Sequence, residues 1–210
     1  LIDVARRWNS PRALKQVIQL ARYYKIRYMP LHLTDDHAWT FPSEAFPKLG
    51  EKNRGFRGPA PRKYTREELL DLVKFADDRG VTLLPEIETL GHADQLRLPY
   101  PRVFDKYESD KPAHMGVVDM ANPNAYKGLE TLIGEAAEIF ASSPYIHVGC
   151  DEARFGNIKR DSEHFKQFLA DRNLENVREL FCYFVVQMDK YVKGTGKQTI
   201  IWGDGMHHPD

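Results

Sequence analysis

Short runs of β-branched and apolar residues alternate along this chain with longer stretches of helical periodicity, and that alternation constrains the fold more than any other feature. Residues 1–6, 26–34, 81–88, 145–150 and 199–202 form the short runs. After the first, Ser10-Pro11 reads as a helix cap with proline at the first helical position, and Leu14, Val17, Ile18 and Ala21 recur at helical spacing. Thr65-Arg66-Glu67-Glu68 has the pattern of a capping box, opening a helix through Leu69, Leu72, Val73 and Ala76 that Gly80 closes. Asn122-Pro123 starts a third helix carrying Leu129, Leu132, Ile133, Ala136 and Phe140, and one or two more cover residues 161–191.

About five strands joined by helical crossovers make a series of parallel βαβ units, an α/β chain with no linker dividing it. A doubly wound sheet and a (β/α)8 TIM barrel both fit. No glycine-rich phosphate fingerprint follows any strand, which weakens the dinucleotide-binding form of the first. The chain has 210 residues, whereas a whole barrel takes about 250 and eight strands. The expectation is therefore a partial TIM-barrel domain over residues 1–210, with the first five β/α units present and the rest of the barrel C-terminal to Asp210. Such a piece would leave strand edges unpaired and the faces of Phe165, Phe168, Phe181 and Phe184 uncovered. Alone it would be aggregation-prone or molten, and inactive.

Thirty Lys+Arg against thirty Asp+Glu leave no net charge. No polybasic footprint invites nucleic acid or an anionic membrane, and no apolar run approaches the length of a membrane span. The only cysteines, Cys150 and Cys182, give neither a disulfide framework nor zinc-site spacing. The chain begins without Met and without the layout of a signal peptide, as an excised domain or mature fragment would. A small or neutral ligand is the expected partner.

Polar residues gather where the strands end, at Arg6, at 32–37, at 86–92 and at 147–152, and the carboxyl ends of parallel strands are where α/β active sites form. Asp151-Glu152 is the sharpest of these signals. Neighbours on a regular strand face opposite sides, so both acids reach one ligand only where the strand breaks, and residues 153–156 read as that break. Two close acids raise the proton affinity of one, as a general acid near neutral pH requires. Asp35-Asp36 is a second acidic pair, otherwise read as a turn cap. His92 lies on a loop, where a histidine is ordinarily a local hydrogen-bond partner. A metal-dependent hydrolase would draw on His32, His37, His92, His147 and the acids, without the tight spacing of a specific site. His147, inside a strand, reads as a core histidine, and Trp39 and Trp202 as core or as stacking surfaces for a sugar.

Taken in order, these segments resemble glycoside hydrolase family 20, the β-N-acetylhexosaminidases, over nearly the whole chain. Asp3-Val4-Ala5-Arg6 is similar to the family's Asp-x-x-Arg strand, His32-Leu33-Thr34-Asp35-Asp36 to His-Leu-Thr-Asp-Asp, and Pro85-Glu86-Ile87-Glu88-Thr89-Leu90-Gly91-His92 to Pro-Glu-Ile-Asp-x-Pro-Gly-His. His147-Val148-Gly149-Cys150-Asp151-Glu152 corresponds to His-x-Gly-Gly-Asp-Glu. Glu88, Leu90 and Cys150 depart from the pattern, and the family's further pocket tryptophans, Tyr and Asp do not occur before Asp210.

The resemblance implies removal of terminal β-linked N-acetylglucosamine or N-acetylgalactosamine by retaining hydrolysis in which the substrate's acetamido oxygen attacks its own anomeric carbon. It casts Glu152 as acid and base, Asp151 as the partner of the acetamido N–H, and Asp35 with His92 as a relay to Glu152. It also casts Arg6 and His147 as substrate-binding residues and Trp202 as a pocket wall. It implies no metal and no organic cofactor. A glycan or glycoconjugate is the implied partner, and a secreted, periplasmic or cell-surface compartment would suit one. The other readings are a metal-dependent barrel hydrolase, which chelation would inactivate, and an inactive carbohydrate-binding relic.

Overall fold

Three helix starts follow directly from local chemistry. In the computed structural model, which describes residues 1–105, 116–153, 155 and 162–203, Ser10 caps α1 (Pro11–Tyr23) by accepting the Ala13 N–H. Thr65 and Glu68 close a reciprocal capping box on α2 (Arg66–Asp77), and Asn122 caps α5 (Pro123–Ile139). The loop before α5 carries two short helices that periodicity does not reveal, α3 (Asp94–Arg97) and α4 (Pro101–Phe104). Asn122 anchors this segment, its amide donating to the carbonyls of Arg102, Val103 and Asp105.

The strands are shorter than the apolar runs that contain them: β1 (Ile2–Asp3), β2 (Tyr28–His32), β3 (Thr82–Glu86), β4 (Tyr145–His147) and β5 (Gln198–Ile200). They form one parallel sheet in the order β1-β2-β3-β4-β5. A doubly wound sheet reverses direction partway and so creates a switch point. Here every strand adds on the same side of its predecessor, as in the wall of a barrel. The crossover helices follow suit, α1 packing on α2, α2 on α5, and α5 on α7 (Val177–Gly194).

The uncovered phenylalanines expected from the sequence are not uncovered. Phe165 and Phe168, on α6 (Glu163–Ala170), and Phe181 and Phe184, on α7, are all buried. Tyr126 of α5 stacks on Phe168 at 6.1 Å and meets Phe184 at 5.7 Å, so the helices cover one another's aromatic faces. Trp39 is also core, 1% exposed, which removes it as a stacking surface for a sugar. No helix among the described residues is long and apolar enough to cross a membrane.

Register positions the chemistry. Asp3 pairs with His32, His32 with Glu86, Glu86 with His147, and His147 with Ile200, a single row across all five strands. In a parallel sheet, side chains in one row share a face, and residues two further along lie above them on that face. Thr34, Glu88 and Gly149 occupy this next level, immediately below the loops that carry Asp35, His92 and Asp151.

Candidate active site

Glu86 is the centre of the lower row. Its Oε1 lies 3.2 Å from His32 Nδ1, accepts the Trp202 indole N–H at 2.8 Å and stands 3.8 Å from His147 Nδ1. Burial disfavours charge on His32, but Asp35 and Glu86 outweigh it and push the imidazole up to about 10. The same imidazolium keeps the Glu86 carboxyl below its usual range despite burial. His147 goes the other way, lowered by burial. Its Nδ1 accepts the Gly149 N–H at 3.1 Å and its ring lies against Trp202 at 4.9 Å. The residue expected to bind substrate therefore sits 5% exposed beneath the indole, which is itself 40% exposed.

Asp35 is the hub of the upper level. Its buried carboxylate receives Arg6 at 2.7 Å and His37 at 2.9 Å, with His32 at 3.4 Å and His92 at 3.5 Å. Burial raises its proton affinity, and His32, His37 and Arg6 more than reverse that, so it stays ionised. Arg6, expected to offer its fork to a sugar, is half turned onto the protein. Besides Asp35 it holds Asp3 at 3.0 Å, and its side chain is 32% exposed. The charges of Asp35 and Asp3 strengthen its own hold on a proton against burial.

His92 joins the two acidic pairs. Nδ1 lies 3.5 Å from both Asp35 and Asp36, and Nε2 lies 3.5 Å from Asp151 and 3.2 Å from Glu152. Hydrogen bonding to Asp151 and Asp36 pushes His92 up to about 11 against the effect of burial. In return, Asp151 is held below its usual range by His92 although burial opposes this.

The backbone that presents the acid pair is strained. Gly149, Cys150 and Glu152 have φ of +67°, +74° and +46°, and His92 has +47°. Left-handed residues that carry a Cβ are costly and concentrate at functional sites. The strand thus breaks before Asp151 and not after Glu152 as the sequence reading had it, and Arg154 and Gly156 of that expected break lie outside the described residues. Cys150 fits this turn with its side chain fully buried, Sγ 3.4 Å from Thr89 Oγ1. Gly91 is needed because a Cβ there would run into the Asp151 carbonyl.

One grouping among the described residues has the reach to close on an ion: His32 Nδ1 with oxygens of Glu86 and Glu88, all within 4.8 Å of one another. A ligating imidazole gives up its proton, so an ion here would compete with the proton that Asp35 and Glu86 hold on His32. His37, His92 and His147, the other histidines of the metal reading, are not in it.

The structure brings together Asp35, His92, Asp151 and Glu152, with Arg6 beside Asp35 and Trp202 above His147 and Glu86. Sequence reasoning left Asp3, Asp36, Glu86 and Glu88 without roles. The spacing of Glu86 and Glu88, two apart on a strand, was the available signal that both face the site.

The model of the glycosyl hydrolase family 20 catalytic domain matches residues 1–210. The chain is 30% identical over 213 residues to a beta-hexosaminidase of Porphyromonas gingivalis, covering 97% of this chain and 27% of that protein. It is 27% identical over 233 residues to one from Vibrio furnissii, covering 99% and 37%. Among solved structures, it matches an exo beta-N-acetylglucosaminidase of Vibrio harveyi in complex with N-acetylglucosamine with a TM-score of 0.87 at 25% identity, over 98% of this chain and 35% of that one. It matches a Flavobacterium johnsoniae chitobiase with a TM-score of 0.83 at 27% identity, over 99% and 31%. The chain spans well under half the length of each of these proteins. Strand order, the four strand-end segments and the match along the full 210 residues agree, and the chain belongs to glycosyl hydrolase family 20.

Proposed function

We propose that this chain carries the acid/base side of a glycosidase that removes terminal β-linked N-acetylglucosamine or N-acetylgalactosamine with retention, the substrate's acetamido group serving as nucleophile. The observation that carries this reading is His92, whose two ring nitrogens link Asp35 and Asp36 on one side to Asp151 and Glu152 on the other. Glu152, with a side chain 65% exposed against 24% for Asp151, is the more exposed acid of the pair and the one placed at the glycosidic oxygen. It donates a proton to the leaving group and then takes one from the attacking water. Asp151, kept anionic by His92, accepts the acetamido N–H, orients the carbonyl oxygen towards the anomeric carbon and balances the positive charge of the oxazolinium intermediate. Arg6 and the exposed face of Trp202 border the sugar, and His147 acts through the indole it supports. The relatives named as hexosaminidases favour this chemistry. The five sequential strands are proposed as the first five units of an eight-unit barrel.

The test is hydrolysis of aryl 2-acetamido-2-deoxy-β-glucoside and -galactoside by the complete enzyme, with and without a chelator. Cleavage with retention in both conditions is expected. No cleavage of either glycoside overturns the reading, and loss on chelation transfers it to a metal-dependent hydrolase.

A further inference from the structure

We infer that Glu88 is a positioning residue for Asp151: it bears the proton that joins two otherwise unpartnered buried carboxyl groups, and so fixes Asp151 as an oriented anion under the acetamido group. The inference rests on the reaction proposed above for its consequence and on the packing alone for the proton.

Glu88 is fully buried at the level just above Glu86. Neither of its carboxyl oxygens has a hydrogen-bond partner, and neither does Oδ1 of Asp151. Two carboxylates cannot satisfy each other, because each only accepts. A single proton makes one of them a donor and resolves both.

The surroundings decide which acid takes it. Asp151 has cationic His92 at 3.5 Å and a side chain 24% exposed. Glu88 has no such support. The cation nearest to it, His32, is 3.9 Å away and is already engaged by Glu86 at 3.2 Å and Asp35 at 3.4 Å. Burial first, then the charge of Asp151, raise the Glu88 carboxyl well above its usual range, with Glu86 adding to this and His32 and His92 opposing it. After His92, Glu88 is among the groups that lower Asp151.

The site is also shaped for this acid. Gly149 stands beside it at a φ of +67°, and a Cβ there would run into the Glu88 carboxyl. From the other side, Thr34 Oγ1 accepts the Glu88 N–H at 2.8 Å and fixes its backbone.

The test compares Glu88→Gln with Glu88→Leu in the complete enzyme. Gln keeps the volume and offers Asp151 an N–H where the acid offers O–H, whereas Leu offers nothing. On an aryl 2-acetamido glycoside, Glu88→Gln is expected to keep kcat within about threefold. Glu88→Leu is expected to lose about tenfold to a hundredfold in kcat, with KM little changed, the usual size of such supporting effects. Equal losses in the two variants, or no loss in either, overturn the positioning role. The proton is read separately from thermal unfolding. An unfolded glutamate ionises near pH 4.3, so if folded Glu88 keeps its proton, wild type loses stability relative to Glu88→Gln as pH rises from about 5 to about 8. A widening Tm gap is expected, and a constant gap overturns the proton on Glu88. That gap is independent of turnover, so it still decides the assignment if Glu88→Leu does not fold or if the proposed reaction is wrong.

Discussion

His92 holds its Nε2 3.2 Å from Oε2 of Glu152, and the same nitrogen lies 3.5 Å from Asp151. In the proposed mechanism one imidazolium serves an acid that exchanges protons and an acid that keeps its charge. The two roles separate under substitution.

Glu152→Gln is expected to abolish most turnover of substrates with poor leaving groups and much less of activated aryl glycosides, because an aryl oxide departs with little protonation. Initial rates across a series of leaving groups measure this. Equal loss along the series removes Glu152 as the acid.

His92→Gln is expected to lower kcat by about a hundredfold, the size of removing one preorganised electrostatic partner. His92 keeps its proton to about 11, so it does not itself titrate between pH 5 and 9. Removing its positive charge makes Asp151 harder to ionise, and the acid limb of kcat/KM, which requires Asp151 as an anion, should move upward. A downward shift would contradict the charge assigned to His92.

His32→Gln breaks a buried pair and is expected to cost about 3–5 kcal/mol of stability near pH 6, read by urea unfolding. A proton held more tightly in the folded state stabilises the fold fully below the unfolded imidazole's range of about 6.5, and this contribution disappears as pH climbs through about 10. The deficit of the variant should therefore shrink from pH 7 to pH 10.

Gly149→Ala places a Cβ at a left-handed position and against the Glu88 carboxyl. About 1–2 kcal/mol for the backbone and about 1–3 for the overlap give an expected loss of about 2–5 kcal/mol. Far-ultraviolet circular dichroism during thermal unfolding reads it.

The parts of this fold legible in the sequence are those decided locally. Ser10, Thr65 with Glu68, and Asn122 cap their helices through atoms within three residues, so the pattern alone locates them. The covering of Phe168 and Phe184 depends on Tyr126, which is about forty or more positions away, and no periodicity reports that. The site divides in the same way. Asp35, His92, Asp151 and Glu152 stand out as polar residues at strand ends. Glu86 owes its place to the register that aligns it with His32 and His147 across three strands. The spacing of Glu88 from Glu86 places both on one face, but its closeness to Gly149 and Asp151 is visible only in the fold. Arg6 illustrates a third case: its fork was legible, but not its engagement by Asp3 and Asp35.

Whether Asp151 enlists the substrate's own acetamido group is decided by the ratio of kcat/KM for an aryl 2-acetamido β-glucoside to that for the matching 2-hydroxy glucoside, in wild type and Asp151→Asn. A large ratio is expected in wild type, and its collapse in the variant, which loses about 2–4 kcal/mol of transition-state stabilisation on the acetamido substrate and little on the other. Equal hydrolysis of both glycosides by wild type, or an equal loss on both in the variant, would contradict that role for Asp151.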